Sequence, residues 1–120
     1  MSGYKQLQVY QRGYAAAKSV YRMTEGYPKE ERYGITDQMR RASVSIALNI
    51  AEGYARRESQ QEFKRFLMMA IGSSNEMIVL LDFSKDLGYI DAQTHAKASQ
   101  EYDEISRMLN VLIQRTSEHI

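Results

Sequence analysis

Apolar and small residues recur in this chain at alternating spacings of three and four through four separate stretches, the signature of one helical face in each. The first stretch runs from about Lys5 to Glu25, with Leu7, Tyr10, Tyr14, Ala17, Tyr21 and Thr24 on one stripe. Gly26, Tyr27 and Pro28 are predicted to stop it, because glycine takes the left-handed cap conformation and proline cannot donate the next backbone bond. Gly34 and Thr36 open a second helix to about Arg57, with Ile35, Met39, Ala42, Ile46, Ile50 and Gly53 on its core face. Ser59 and Glu62 have capping-box spacing, which starts a third helix. Its face is Phe63, Phe66, Leu67, Ala70, Ser74, Met77, Ile78 and Leu81, and Gly88 after Leu87 stops it. Asp91 is a good N-cap for a fourth, whose stripe is Ala98, Tyr102, Ile105, Leu109, Leu112 and Thr116. Short connections force antiparallel neighbours, so the expected fold is all-α: an up-down-up-down antiparallel four-helix bundle, one domain over residues 1–120.

The pattern exceeds what a monomer needs. One apolar stripe per helix suffices when the back is charged, as on the fourth helix with Glu101, Asp103, Glu104, Arg107 and Arg115. The second and third helices break this rule. Val44, Leu48 and Ala51 point away from the second helix's core stripe, and Met68, Val79, Leu80, Phe83 and Leu87 lie on the far side of the third. The first helix carries a further small-residue face of Val9, Gly13, Ala16 and Val20. Exposed together these would exceed the apolar patch a soluble monomer tolerates, so Val44, Leu48, Ala51, Met68, Val79, Leu80 and Phe83 are expected at an interface with another copy. A membrane span is a poor alternative, because Ser73, Ser74, Asn75 and Glu76 interrupt the most apolar stretch.

Composition narrows the chemistry. Without cysteine there is no disulfide framework and no thiolate metal site. The first residues, Met1 to Gln6, lack the apolar core of a signal peptide, and the expected location is cytoplasmic. Two histidines build no His-rich metal site, the dispersed glycines have no Walker or dinucleotide spacing, and Arg115 stands too close to His119 for the Arg–His spacing of some helical ribonucleases. No catalytic residue, metal or cofactor is therefore expected. Residues 1–57 carry ten Lys+Arg against five Asp+Glu, and residues 58–120 carry six against ten. Either the basic half forms a nucleic-acid face through Arg12, Lys18, Arg22, Arg40, Arg41, Arg56 and Arg57, or it forms salt bridges with the acidic half. Aromatic stacking platforms are not expected, because most tyrosines fall on core stripes.

The run from Tyr33 to Tyr54, containing Asn49-Ile50-Ala51-Glu52-Gly53, closely resembles the signature of proteins encoded in intervening sequences of bacterial 23S ribosomal RNA genes, also called the S23 ribosomal protein family. Ser59, Glu62-Phe63, Phe66-Leu67, Ala70, Gly72-Ser73 and Leu87-Gly88-Tyr89-Ile90 match in order, so the resemblance covers nearly the whole chain. Many relatives carry proline where this chain has Ala47, whose absence should straighten the second helix. The resemblance implies a homopentameric barrel of bundles and contact with structured RNA. It extends to the accessory bundle protein of diversity-generating retroelements, which partners a reverse transcriptase and nucleic acid. Asn49, Glu52 and Gly53 are read as structural, with the Asn49 amide bonded inside a helix junction and Gly53 allowing close helix approach. Two functions follow: a non-enzymatic homo-oligomer bound to RNA or DNA, or an adaptor oligomer that binds another protein without touching nucleic acid.

Overall fold

Each of the four periodic stretches becomes one helix in the computed structural model, which describes residues 3–118 and the side chains of residues 3–116. Met1, Ser2 and His119 lie outside the described residues. A single 3-10 turn, Tyr4–Gln6, leads into α1 (Gln8–Thr24), and another, Lys29–Glu31, sits in the connection to α2 (Ile35–Ala55). Then come α3 (Gln60–Asp86) and α4 (Ala92–Glu118). Consecutive helices pack along their lengths, α1 on α2, α2 on α3 and α3 on α4, while α4 closes less extensively on α1. The bundle measures 47 × 23 × 21 Å. Met39, Ile46, Ile50, Leu67, Met77, Leu81, Tyr102, Ile105 and Leu109 are fully buried at its centre.

Local chemistry sets the boundaries. Ser59 Oγ accepts the Glu62 amide at 3.1 Å, but the Glu62 carboxylate turns to Arg65 at 2.9 Å, so only half of the capping box forms. Asp91 Oδ1 accepts the Thr94 amide at 2.7 Å and caps α4. Gly88 takes φ 80°, and Tyr89 N donates to Ser84 O at 2.8 Å, ending α3 in a Schellman turn. Gly26 departs from expectation, since among the described residues only Gly88 takes a left-handed φ. Two tight turns end α1 instead, with Gly26 N bonded to Met23 O and Tyr27 N to Thr24 O, before Pro28. Glu31 begins α2: its Oε1 accepts the Ile35 amide at 3.1 Å while its Oε2 accepts the Tyr89 hydroxyl at 2.7 Å. That carboxylate ties the α1–α2 and α3–α4 connections together at one end of the bundle. With Ala47 inside it, α2 runs unbroken.

The core face of α1 corrects the sequence reading. Val9, Gly13, Ala16 and Val20, expected on a second face, are buried with Ala17 and Thr24. Tyr14 and Tyr21 are instead 50% and 44% exposed. The reason is proximity: a Cβ built on Gly13 would lie 3.2 Å from Ile46 Cγ2 on α2, which leaves no room for rings between these helices. Leu80, expected at a subunit boundary, is likewise a core residue with 6% exposure.

Candidate functional site

Displacing the tyrosines from the core creates the most distinctive surface of the molecule. Tyr4, Tyr10, Tyr14 and Tyr21 follow one flank of α1, and Val44, Ala47, Leu48 and Ala51 of α2 form the opposite wall, together lining an open groove of about 330 Å³. The rings touch in sequence, Tyr4 edge-on to Tyr10 at 4.8 Å and Tyr10 tilted against Tyr14 at 6.0 Å. Burial is the largest influence raising the Tyr10 hydroxyl above its ordinary pKa, and the neighbouring Tyr4 and Tyr14 add to it. Cations sit on two of the exposed rings: Lys18 Nζ lies 5.0 Å from the Tyr14 centroid and the Arg40 guanidinium 4.6 Å from that of Tyr21. Arg40 is also anchored, donating from Nε to Thr24 Oγ1 at 2.9 Å and from Nη2 to Tyr21 O at 3.4 Å.

The seven cations singled out from the sequence divide into three places. Lys18, Arg40 and Arg41 border the α1–α2 groove, and Arg22 stands one turn beyond Lys18 on α1. Arg56 and Arg57 lie at the far end of α2, about 24 Å from Arg40 and Arg41 by helical rise. Arg12 belongs to a different seam, where its Nη2 and Nε meet the Glu101 carboxylate of α4 at 2.6 and 3.0 Å. That contact raises the Arg12 pKa and fastens α1 to α4, so Arg12 is a bundle residue rather than a free phosphate ligand. Arg41 pairs with Asp37 at 3.0 Å and Arg56 with Glu52 at 3.4 Å, each within its own helix. Arg57 bonds Tyr54 O and lies 4.1 Å over the Tyr54 ring. Lys18, Arg22 and Arg40 make no ion pair among the described residues. The two readings of the charge asymmetry thus divide residue by residue: of the seven cations Arg12 joins a salt bridge between helices, and Lys18, Arg22 and Arg40, beside the tyrosines, make none among the described residues.

The apolar residues expected at an interface also separate. Val44, Leu48 and Ala51 are groove residues. Met68, Val79 and Phe83, with Leu87, form an exposed stripe along the outside of α3, more than half of each side chain open to solvent. By length and composition α3 could also cross a membrane, yet its inner face packs between α2 and α4. Ser74 Oγ there donates to Tyr102 O at 3.0 Å and accepts from Ser106 Oγ at 2.8 Å.

Two of the three signature residues, Asn49 and Gly53, lie on the side of α2 that meets α3. Asn49 is half-buried, and its Nδ2 donates to Ser45 O at 2.8 Å within α2, not across a helix junction as expected. One turn earlier, Ser45 and Ser73 hydroxyls join the two helices at 2.6 Å. Gly53 lies at the closest approach, where a Cβ would come within 2.9 Å of Phe66 Cβ. Glu52 faces solvent and Arg56. Groups with the means for acid–base work do not converge: His95 Nε2 meets Asp82 at 2.7 Å on the α3–α4 surface, and the buried Tyr102 hydroxyl, its pKa raised by desolvation, has no hydrogen-bond partner among the described residues. No group of three His, Asp or Glu side chains gathers as a metal site among the described residues.

The family model of the 23S rRNA-intervening sequence protein matches residues 5–111, which take in α1, α2, α3 and most of α4. The chain belongs to that family. Among solved structures, the chain is similar to a protein of unknown function from the S23 ribosomal protein family of Bacteroides thetaiotaomicron. The two share 21% sequence identity and a TM-score of 0.80, over 88% of this chain and 95% of that one. At that identity the likeness concerns the fold. No curated protein matches the chain. The matched span includes the tyrosine groove and its cations apart from Tyr4, so nearly all of the site lies within the part of the chain that defines the family. Its signal was present in the sequence as the Tyr10, Tyr14 and Tyr21 spacing, of which periodicity alone placed Tyr14 and Tyr21 in the core while Tyr10 does pack against it.

Proposed function

We propose that this chain is a non-enzymatic, self-associating cytoplasmic bundle that binds the phosphate backbone of RNA or DNA with its α1–α2 face. One observation carries the reading: Lys18, Arg22 and Arg40 make no ion pair among the described residues, on the face that also exposes Tyr14 and Tyr21. Charges held this way contact phosphates without reading base identity. Copies associate through the exposed α3 stripe of Met68, Val79 and Phe83, five being the number the family resemblance implies. Association repeats the basic face, so weak contacts from a chain of net charge +1 add by multivalency.

The test has two arms. Sedimentation at micromolar concentration shows a closed multimer, and Val79→Arg or Phe83→Arg dissociates it with helicity intact. Structured RNA and duplex DNA are titrated at low and physiological salt against the unmodified protein and the Lys18→Gln/Arg22→Gln/Arg40→Gln variant. Binding that weakens steeply with salt, with a shallower salt slope in the variant, supports the reading. If the protein binds neither probe at low salt, or if the variant keeps affinity and slope, the face serves a protein partner in the adaptor role.

A further inference from the structure

The groove is more than a charged surface, and its apolar parts identify which form of nucleic acid it takes. A duplex offers a protein its phosphate ridges and groove edges while its base faces stay stacked inside. Against such a ligand Tyr14, Tyr21, Val44 and Leu48 would gain nothing, and Leu48, 60% exposed, would face phosphate. An unpaired strand presents base faces, which stack on aromatic rings, together with phosphates that need cations at short intervals. The α1–α2 groove supplies both in alternation. Along α1 come Tyr10, Tyr14, Lys18, Tyr21 and Arg22, and α2 places Arg40 on the Tyr21 ring and Arg41 beside it.

The dimensions agree. From Tyr10 to Tyr21 the helix rises about 16 Å, the length of about five stacked nucleotides at 3.4 Å each. Tyr14 and Tyr21, about 10 Å apart by the same rise, would receive bases about three steps apart. The rings are steadied for the purpose. Lys18 and Arg40 lie at cation–π distance, 5.0 and 4.6 Å, and Tyr10 supports Tyr14 from the neighbouring turn at 6.0 Å. Rings already held in place lose little freedom when a base settles on them.

Resting on the phosphate-binding reading above, we infer that Tyr14 and Tyr21 are stacking platforms and that the groove selects an unpaired strand, such as a loop or single-stranded segment of RNA, over a duplex. RNA and DNA strands share the chemistry of base face and phosphate, so both are tested. Fluorescence anisotropy at low salt compares a 12-nucleotide single-stranded RNA, the single-stranded DNA of the same sequence, and the duplex of each. The proteins are the unmodified chain, Tyr14→Leu/Tyr21→Leu and Tyr14→Phe/Tyr21→Phe. Leucine keeps apolar bulk without the ring; phenylalanine keeps the ring.

The expected result is tighter binding of single strands than of duplexes, a loss of about tenfold or more on single strands in the Leu variant, and recovery in the Phe variant. Duplex affinity should change less than twofold in either. Because the chain has no tryptophan, its intrinsic fluorescence is that of its tyrosines, and single strands should quench it more in the unmodified protein than in the Phe variant, which lacks both platform tyrosines. Equal affinity for duplex and single strand, or unchanged single-strand binding in the Leu variant, overturns the stacking inference while leaving phosphate binding standing. No binding of any probe overturns both. A preference for RNA over DNA strands would mean that the 2′-hydroxyl is also read.

Discussion

Alanine substituted for glycine inside a helix normally gains about 1 kcal/mol, because glycine gives up more backbone entropy on folding. The bundle contains two glycines for which the same substitution should have opposite signs. At Gly72, on the outside of α3, a new Cβ meets nothing within 4 Å, so Gly72→Ala should realise the full gain. At Gly53 the Cβ would lie 2.9 Å from Phe66 Cβ, 3.2 Å from Phe63 Cδ1 and 3.3 Å from the Phe63 carbonyl oxygen. Two of those atoms belong to the α3 backbone or are one bond from it, so they cannot swing aside as a side-chain tip would. Overpacking of this kind costs about 1–3 kcal/mol, which exceeds the propensity gain and leaves a net loss of about 1 kcal/mol. For a chain of this size about 1 kcal/mol moves Tm by about 3–5 °C, so the two variants should melt about 6–10 °C apart, on opposite sides of the parent. Thermal melts at several protein concentrations separate this difference from any effect of association. Should Gly53→Ala raise Tm as much as Gly72→Ala, α2 and α3 are not in close approach there, and the signature glycine has some other role.

Two further expectations follow from the interior and from one end of the bundle. Tyr102→Phe removes a buried hydroxyl that lacks a partner, so Tm should stay level or rise by the equivalent of up to about 1 kcal/mol; a clear fall would reveal a partner for that oxygen. Glu31 is held below the ordinary carboxylate range, first by the Tyr89 hydroxyl and then by the Ile35 amide, so its contribution is present above the unfolded value of about 4.3 and fades as pH falls through the depressed folded value. Glu31→Gln should therefore flatten the loss of Tm between about pH 5 and about pH 2, and an unchanged acid limb would remove Glu31 from the account.

How far the sequence was readable depended on what each signal measures. Periodicity found all four helices and most of the core faces of α2, α3 and α4, because those stripes hold large apolar residues such as Ile46, Leu81 and Ile105 at unbroken helical spacing. On α1 two stripes were available, one of large tyrosines and one of small residues. The tyrosine stripe was read as core, yet Gly13 against Ile46 shows that the helices approach too closely for rings. Tyrosine tolerates the resulting position because its apolar body can line a groove while its hydroxyl stays in reach of water. Charge was harder still. The cations of the first half can be counted from their letters, but their partners come from the fold, which sets Arg12 on Glu101 across the bundle and Lys18 and Arg40 beside exposed rings. Leu80 looked peripheral by phase, but the neighbouring helix covers that side of α3.

The order in which the helices pack bears on how the molecule is made. The extensive seams join helices that follow one another along the chain, and the lighter α1–α4 seam brings together the two helices most distant in sequence. A nascent chain can therefore satisfy most of its contacts as each helix emerges, paying little loop-closure entropy before contacts compensate for it. Architectures of this kind fold in about microseconds to milliseconds. The α1–α4 seam, where Arg12 meets Glu101, needs the first and last of these helices together. The tyrosine groove is lined only by residues from Tyr4 to Ala51, so the surface assigned to the ligand is built without α4.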